Sequence, residues 1–427
     1  LESDIHFLLS TFLFSLSSLC LCGLIFSEEQ YMSKPLEGIR VLDLTRVLAG
    51  PFCTMTLSDL GAEIIKVEVP GTGDDSRAFG PFKNGQSLYF VNINRGKKSI
   101  AIDLKTAAGK KLLIDLAKKC DVLVENFRPG TMEKLGLGWD VLKSANPRLI
   151  YAAVSGFGHS GPDSLKPAYD ILVQARSGVM SITGWPDSPP TRVGLSMGDI
   201  TAAVYGATGI TTALYQREKT GLGQKVDVAM LDCQISILEN ALVRYQVDGK
   251  SPTPLGTRHP TITPFQAFHA NDGWFVVAVG NDALWKVFCG AIGRPDLLAD
   301  ARYATNGERT KRYNELIPEL ERVFENKSCS EWITLLEGAG VPSAPVNTIE
   351  HVMHDQQLLA RNMFVTVDDD KAGVITIPGN PIKMESIPES ATRPSAPEIG
   401  EHTDGILRGL LGLGDKEIAA LHSEGAI

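Results

Sequence analysis

Short runs rich in β-branched and aliphatic residues recur through the first part of the chain: IRVLDLT (39–45), EIIKVEV (63–69), SIAIDL (99–104), DVLVEN (121–126) and RLIYAAVSG (148–156). Helical patterns separate several of them: GPFCTMTLSDLGA (50–62), ending near Gly61, then AAGKKLLIDLAKKC (107–120) and TMEKLGLGWDVL (131–142). Strands that alternate with amphipathic helices build a parallel sheet covered on both faces. The fold class expected is therefore α/β, and ligands on such a sheet bind beyond the carboxyl ends of its strands.

Further on, QKVDVAM (224–230) predicts entry into one long helix reaching about Val247, after which GKSPTPLGTRHPTITP (249–264) is rich in Pro, Gly and Thr. A second, smaller α+β domain is expected to begin there. It holds FQAFHANDGWFVVAVGND (265–282), whose Asn-Asp-Gly between alternating apolar runs predicts a hairpin. The boundaries read from composition are 32–230 for the first part of the large domain, 231–340 for a linker helix and the small domain, and 341–427 for a segment returning to the large domain.

The first 31 residues differ from the rest. FLLSTFLFSLSSLCLCGLIF (7–26) has the length of a bilayer span, but acidic residues flank it and no Lys or Arg precedes Lys34. Glu28-Glu29 requires purine-rich codons just ahead of Met32, where a bacterial ribosome-binding site would lie. We read residues 1–31 as translated upstream DNA with the protein starting at Met32; a membrane anchor and a targeting peptide are the alternatives.

With 41 basic against 50 acidic residues the chain carries a formal charge of -9. That argues against a general nucleic-acid binder, whose affinity comes from excess Lys and Arg. Cys53, Cys120, Cys233, Cys289 and Cys329 are scattered, with no C-x-x-C pair, so neither a zinc site nor a disulfide framework is indicated. A reducing, cytoplasmic setting is expected.

Two motifs invite chemistry and lack its context. GTGDDS, LGLGW and GLGQ each miss the third glycine of a dinucleotide fingerprint. GLSMG (194–198) matches the G-x-S-x-G of a hydrolase elbow with Ser196 as nucleophile, yet the PPTRV before it makes a poor strand. The bland reading is a loop leading to a helix capped by Asp199.

Asp170 stands in KPAYDILVQARSG (166–178), one acid in a stretch patterned for burial. Pro167 suits a helix start, so Asp170 can be a first-turn residue complementing the macrodipole. The same geometry suits a nucleophile, since a carboxylate beyond a sheet edge can attack an acyl carbon. Both readings stand on the residues alone.

PLEGIRVLDLTRVLAGPFCTMTLSDLGAEIIKVEVPGTGDDSR, NINRGKKSIAIDLKTAAGKKLL, DVLVENFRPGTMEKLGL, SGFGHSGP, AYDILVQARSG, GDITAAVYGATGI, TGLGQKVDVAM and AGVPSAPVNTIEHVMHDQQLLARNMFV follow one another in this order. Together they resemble the family III CoA-transferases over essentially all of residues 35–427. The resemblance implies a Rossmann-like large domain with a smaller domain between two linkers, and an interlocked-ring homodimer. It implies that Asp170 is the catalytic residue, attacking an acyl-CoA thioester to give a mixed anhydride and then an aspartyl-CoA thioester. An anhydride needs shelter from water, and the ILV after Asp170 is expected to bury it. Coenzyme A enters as a substrate, lined by Val47, Leu48, Ile102, Asp103, Leu104, Lys105, Asn126, Phe127, Arg128 and Lys134; no metal or redox cofactor, nucleic acid or membrane is expected.

Departures bear on specificity. His159 stands where many relatives have Gln, and it is a candidate substrate contact or second base. The racemase branch of the family has His-Asp followed by Asn-Tyr, whereas Tyr169-Asp170 here is followed by Ile-Leu, which favours transfer over racemisation. GTRHPTITP lacks the glycine run of the formyl-CoA transferase branch, and its Arg258 and His259 are candidates for a distal carboxylate. A non-catalytic CoA-binding protein, in which Asp170 only caps a helix, is the rival from another class.

Overall fold

Six strands hydrogen-bond into one parallel sheet: β1 (Arg40–Asp43), β2 (Glu63–Glu68), β3 (Lys98–Ala101), β4 (Val122–Glu125), β5 (Ile150–Ser155) and β6 (Lys225–Ala229). Their spatial order is β3-β2-β1-β4-β5-β6, with every neighbouring pair parallel. The computed structural model describes residues 34–427 except Ser386 and Pro388, so the expectations for residues 1–31 lie outside the described residues. Among the described residues no helix is long and apolar enough to cross a membrane.

The period of two along each strand explains the two covered faces. Val41, Ile64, Val122 and Ile150 pack on one side with Cys53 and Leu57 of α1 (Ala49–Asp59). Leu42, Ile65, Leu123 and Tyr151 pack on the other with Leu112, Leu113 and Leu116 of α2 (Ala107–Ala117). Each such fully buried aliphatic side chain stabilises the fold by about 1.5–3 kcal/mol relative to exposure. Thr106 caps α2 by accepting the Gly109 N–H at 2.9 Å.

Chain direction across the sheet reverses between β1 and β4. From β1 the chain moves outward through β2 to β3; from β4 it moves the other way through β5 to β6. This is the topological switch point, where the loops after two adjacent strands part and leave a crevice.

Two compact units divide the chain. The first comprises 34–167, 199–229 and 361–427; the second comprises 168–198 and 230–360. These differ from the boundaries read from composition at two places, because 168–198 and 341–360 pack with the second unit. The first unit also holds the hairpin β10 (Phe364–Asp369) and β11 (Gly373–Pro378), whose Val365, Val367 and Ile375 pack on Phe90.

In the second unit, the Asn-Asp-Gly turn joins β7 (Phe265–His269) to β8 (Trp274–Ala278), and β9 (Ser343–Pro345) pairs with β8. Phe268, Phe275, Phe288 and Trp332 surround Phe324; Phe275 meets it edge-on, with centroids 5.0 Å apart.

Two helical expectations are corrected. TMEKLGLGWDVL forms two helices, α3 (Thr131–Leu135) and a second over Trp139–Ala145, because Gly136 closes the first in the left-handed region at φ 74°. QKVDVAM forms the strand β6, and the one long helix expected to follow it to Val247 is two helices, α6 (Met230–Ser236) and one over Asn240–Asp248, parted at Glu239 with φ 50°. Preceding them are α4 (Asp170–Arg176) and α5 (Met197–Thr220).

Candidate active site

Asp170 opens α4 and is buried, at 9% exposure. Its Oδ1 accepts the Gly198 N–H at 2.7 Å, and its Oδ2 accepts Gln174 Nε2 at 2.7 Å. Gln174 lies one helical turn along and shares the buried face. Its amide also donates to Leu195 O at 3.2 Å and accepts the Val193 N–H at 2.8 Å. One fully buried side chain thus ties the carboxylate to the 193–195 loop. The Arg192 guanidinium stands beside Oδ2, with Nη2 at 3.7 Å.

Gly198 sits in the first turn of α5, and a side chain there would be crowded. A Cβ would lie 3.0 Å from Gln234 Nε2, 3.2 Å from Asp170 Oδ1 and 3.3 Å from Met230 Cε. The glycine lets the backbone N–H approach the carboxylate. Gln234 is fully buried; its Oε1 accepts from Ser177 Oγ at 2.6 Å, while its Nε2 has no hydrogen-bond partner among the described residues.

The arrangement agrees with one sequence reading and corrects two. GLSMG is a loop entering a helix and no nucleophile elbow: no strand leads into it, and it is Gly198 rather than Ser196 that meets the carboxylate. Asp199 lies inside the first turn of α5, not at its cap. The ILV after Asp170 does not enclose it uniformly, because the helical period turns Ile171 and Leu172 outward and only Val173 inward.

The switch point of the first unit gathers a second group of residues. Val47 and Leu48 follow β1, and Asn126, Phe127 and Arg128 follow β4. Asn126 grips the backbone of Arg46 twice, accepting its N–H and donating to its carbonyl, each at 2.8 Å. Val47 has φ 69°, a left-handed conformation costly for a β-branched residue, and donates its N–H to Asp74 at 3.1 Å. The tight turn needs Gly50, whose Cβ would stand 2.3 Å from Thr45 Cβ.

Behind this loop lies a buried network of charge. Lys66 pairs with Asp74 at 2.7 Å and donates to Thr45 O at 2.8 Å; Lys97 pairs with Asp43 at 3.1 Å. Burial pushes the Asp74 carboxyl up, but Lys66 and the Ser76 bonds outweigh it and hold Asp74 at about 2.

The remaining candidates are dispersed. Ile102, Asp103, Leu104 and Lys105 follow β3, an edge strand two places from the switch point, with Ile102 buried and Lys105 exposed. Lys134 is exposed on α3. Arg258 and His259 belong to the second unit; the Arg258 guanidinium lies 3.6 Å over the Tyr313 ring, and His259 accepts the Thr261 N–H at 3.2 Å.

His159 belongs to the first unit and joins a buried cluster there. Its Nδ1 is 3.0 Å from Lys225 Nζ, and its Nε2 is 3.6 Å from Glu125 Oε1. Burial and then the Lys225 charge push the imidazole below its ordinary range. Glu125 accepts from Phe127 N–H at 2.8 Å and Tyr151 Oη at 3.1 Å. Burial nevertheless dominates and lifts this carboxyl from 4.5 to about 7.

A raised carboxyl pKa means that the folded protein binds the proton more tightly. Between about 4.5 and about 7 the stability contributed by Glu125 is therefore lost as pH rises. Glu125→Gln removes this dependence, so its stability relative to the parent is expected to rise across that window by on the order of 3 kcal/mol. Urea unfolding of both proteins at several pH values checks it; parallel stability curves would refute it.

Residues 36–403 match the model of a family described as CoA-transferase family III. The chain is 44% identical over 368 residues to the acetyl-CoA:oxalate CoA-transferase of Acetobacter aceti, covering 86% of this chain and 93% of that protein. It is 40% identical over 395 residues to the succinyl-CoA:glutarate CoA-transferase of Homo sapiens, covering 92% and 90%. A crystal structure of a CAIB/BAIF family protein from Brucella suis superposes with a TM-score of 0.78 at 37% identity, over 89% of this chain and 100% of that one.

Proposed function

Since this chain belongs to CoA-transferase family III, we propose that it moves CoA from an acyl-CoA donor to a small dicarboxylic acid through covalent adducts on Asp170. Oxalate and glutarate, in the names of the two relatives, are both dicarboxylic acids. The observation that carries the reading is the setting of Asp170: a buried carboxylate with one oxygen on the Gly198 N–H, the other on Gln174, and a cation alongside.

The chemistry divides between the two oxygens. Oδ2 attacks the thioester carbonyl, the C–S bond breaks, and CoA leaves as a thiolate with Asp170 held in a mixed anhydride. The thiolate then attacks Asp170 Cγ, releasing the donor's acid and leaving an aspartyl-CoA thioester. The acceptor carboxylate reverses these two steps. Each attack on Cγ places negative charge on Oδ1, where the Gly198 N–H already points.

A carboxylate suits this relay because its adducts stay activated, whereas a serine ester would trap the acyl group. In this reading Val47, Leu48, Asn126, Phe127 and Arg128 line CoA at the switch point, with Ile102, Asp103, Leu104, Lys105 and Lys134 completing its site. Arg46 over the Phe127 ring, 5.4 Å from its centroid, adds positive charge beside them. Arg258, His259 and His159 remain candidate acceptor contacts. The protein acts as a cytoplasmic homodimer in this reading; Tyr169 at 75% and Ile171 at 50% exposure leave apolar surface beside Asp170 for a partner to cover.

Incubation with succinyl-CoA, trapping with hydroxylamine and peptide mass mapping test the relay. A hydroxamate on Asp170 is expected. Failure to find any adduct with succinyl-CoA or acetyl-CoA, in protein shown to bind CoA, would eliminate it.

A further inference from the structure

Arg192 is the cation beside Asp170, but no step of the scheme so far uses it, and its placement calls for one. It lies on the loop before α5, with its side chain 45% exposed, and its Nη2 is 3.7 Å from the Asp170 oxygen that carries the acyl group. That distance is too long for a direct hydrogen bond, so the donors of the guanidinium stay available. Asp170 is its ionic partner among the described residues. The backbone next to it is anchored, because Gln174 accepts the Val193 N–H while donating to Asp170.

Charge at this pair changes during the proposed reaction. In the resting protein the Asp170 carboxylate balances Arg192. Once Asp170 is a CoA thioester it is neutral, and a half-exposed guanidinium is left facing the reacting carbon without its counter-charge. The next reactant required there is an anion, the carboxylate of the acceptor.

We infer that Arg192 is the binding group for the attacking carboxylate of the acceptor acid, made available by conversion of Asp170 to its thioester. This rests on the aspartyl relay proposed above. One carboxylate oxygen takes hydrogen bonds from the guanidinium while the other attacks Asp170 Cγ; the C–O bond forms, the Cγ–S bond breaks, and CoA leaves as thiolate, with no proton or electron consumed. The same charge switch sets the order of binding, since an acceptor arriving early meets the Asp170 carboxylate and is repelled.

The two halves of the reaction separate the roles. Aspartyl-CoA is formed from succinyl-CoA, freed of small molecules, and discharged with succinate or with butyrate, each step followed by intact-protein mass. Arg192→Gln is expected to need roughly 10- to 100-fold more of either acid for half-maximal discharge, with Arg192→Lys in between, and to charge more slowly as well, because discharge by succinate is charging by succinyl-CoA run backwards. Discharge of the Gln variant at parental acid concentrations would overturn the inference and leave the relay intact. A penalty confined to succinate, sparing butyrate, would also overturn it by assigning Arg192 to a distal carboxylate, and a slower discharge that saturating acid does not restore, with the half-maximal acid concentration unchanged, would reduce Arg192 to a structural residue. No adduct in the parent protein would remove the relay and this inference together.

Discussion

Asp170→Asn is expected to lower CoA transfer by about 10⁴-fold or more while leaving the protein folded. The substitution is isosteric, and the amide oxygen can still accept the Gly198 N–H that Oδ1 accepts now. What disappears is the nucleophile, for an amide oxygen cannot form an anhydride that a thiolate would reopen. The amide nitrogen would also face Gln174 Nε2, a donor against a donor, which costs stability locally and does not rescue activity. Steady-state transfer from succinyl-CoA, alongside urea unfolding, checks both parts. Activity within tenfold of the parent would mean that Asp170 is a helix-start residue and that the acyl group travels another way.

The second large effect is on stability. Asp43→Ala is expected to cost about 3–5 kcal/mol, because it leaves a buried cation without its counter-charge. Asp43 is fully buried at the end of β1, accepting from Thr45 N–H at 2.9 Å, Thr54 Oγ1 at 2.6 Å and Lys97 Nζ at 3.1 Å. Burial pushes its carboxyl up, yet Lys97 and Lys66 outweigh burial and hold it below the ordinary carboxylate range. Burial likewise pulls Lys97 down to about 8 despite Asp43, so the cation is already costly while paired.

Asp43→Ala combined with Lys97→Met should be less destabilised than the sum of the two single variants, because the stranded charge is gone. Lys66 retains Asp74 throughout. Urea unfolding of the four proteins measures the coupling. Single variants within about 1 kcal/mol of the parent would show that water or rearrangement relieves the charge. The same network holds the Val47 turn through Thr45 O and Asp74, so a weakened response to CoA should accompany the stability loss.

Legibility in the sequence followed the range of the interactions involved. Five of the six strands of the parallel sheet and the β7–β8 hairpin were readable because hydrophobic period and turn residues are local properties; β6 was read as the entry to a helix. Two helices were overextended, and both breaks fall at left-handed backbone, at Gly136 and at Glu239. Gly136 carried a signal in TMEKLGLG; Glu239 carried none, since glutamate seldom adopts that conformation.

At the candidate site, Asp170 was visible as an acid in an apolar stretch, whereas Gln174 went unread although it stands four residues later on the helical repeat. Gly198 was seen only inside the wrong motif. Arg192 and Gln234 were missed, being 22 and 64 residues from Asp170 in the chain.

The sequence by itself determined the alternation of strands and helices, the two-faced core, the candidate acid and the family, because these reside in local periodicity and in the order of long motifs. Tertiary structure alone decided what that acid touches. The Gly198 N–H on one oxygen, Gln174 on the other and Arg192 at 3.7 Å converge from separate segments. Their distances depend on chain folding that no local pattern encodes, and charge and hydrogen-bond geometry act only at such distances.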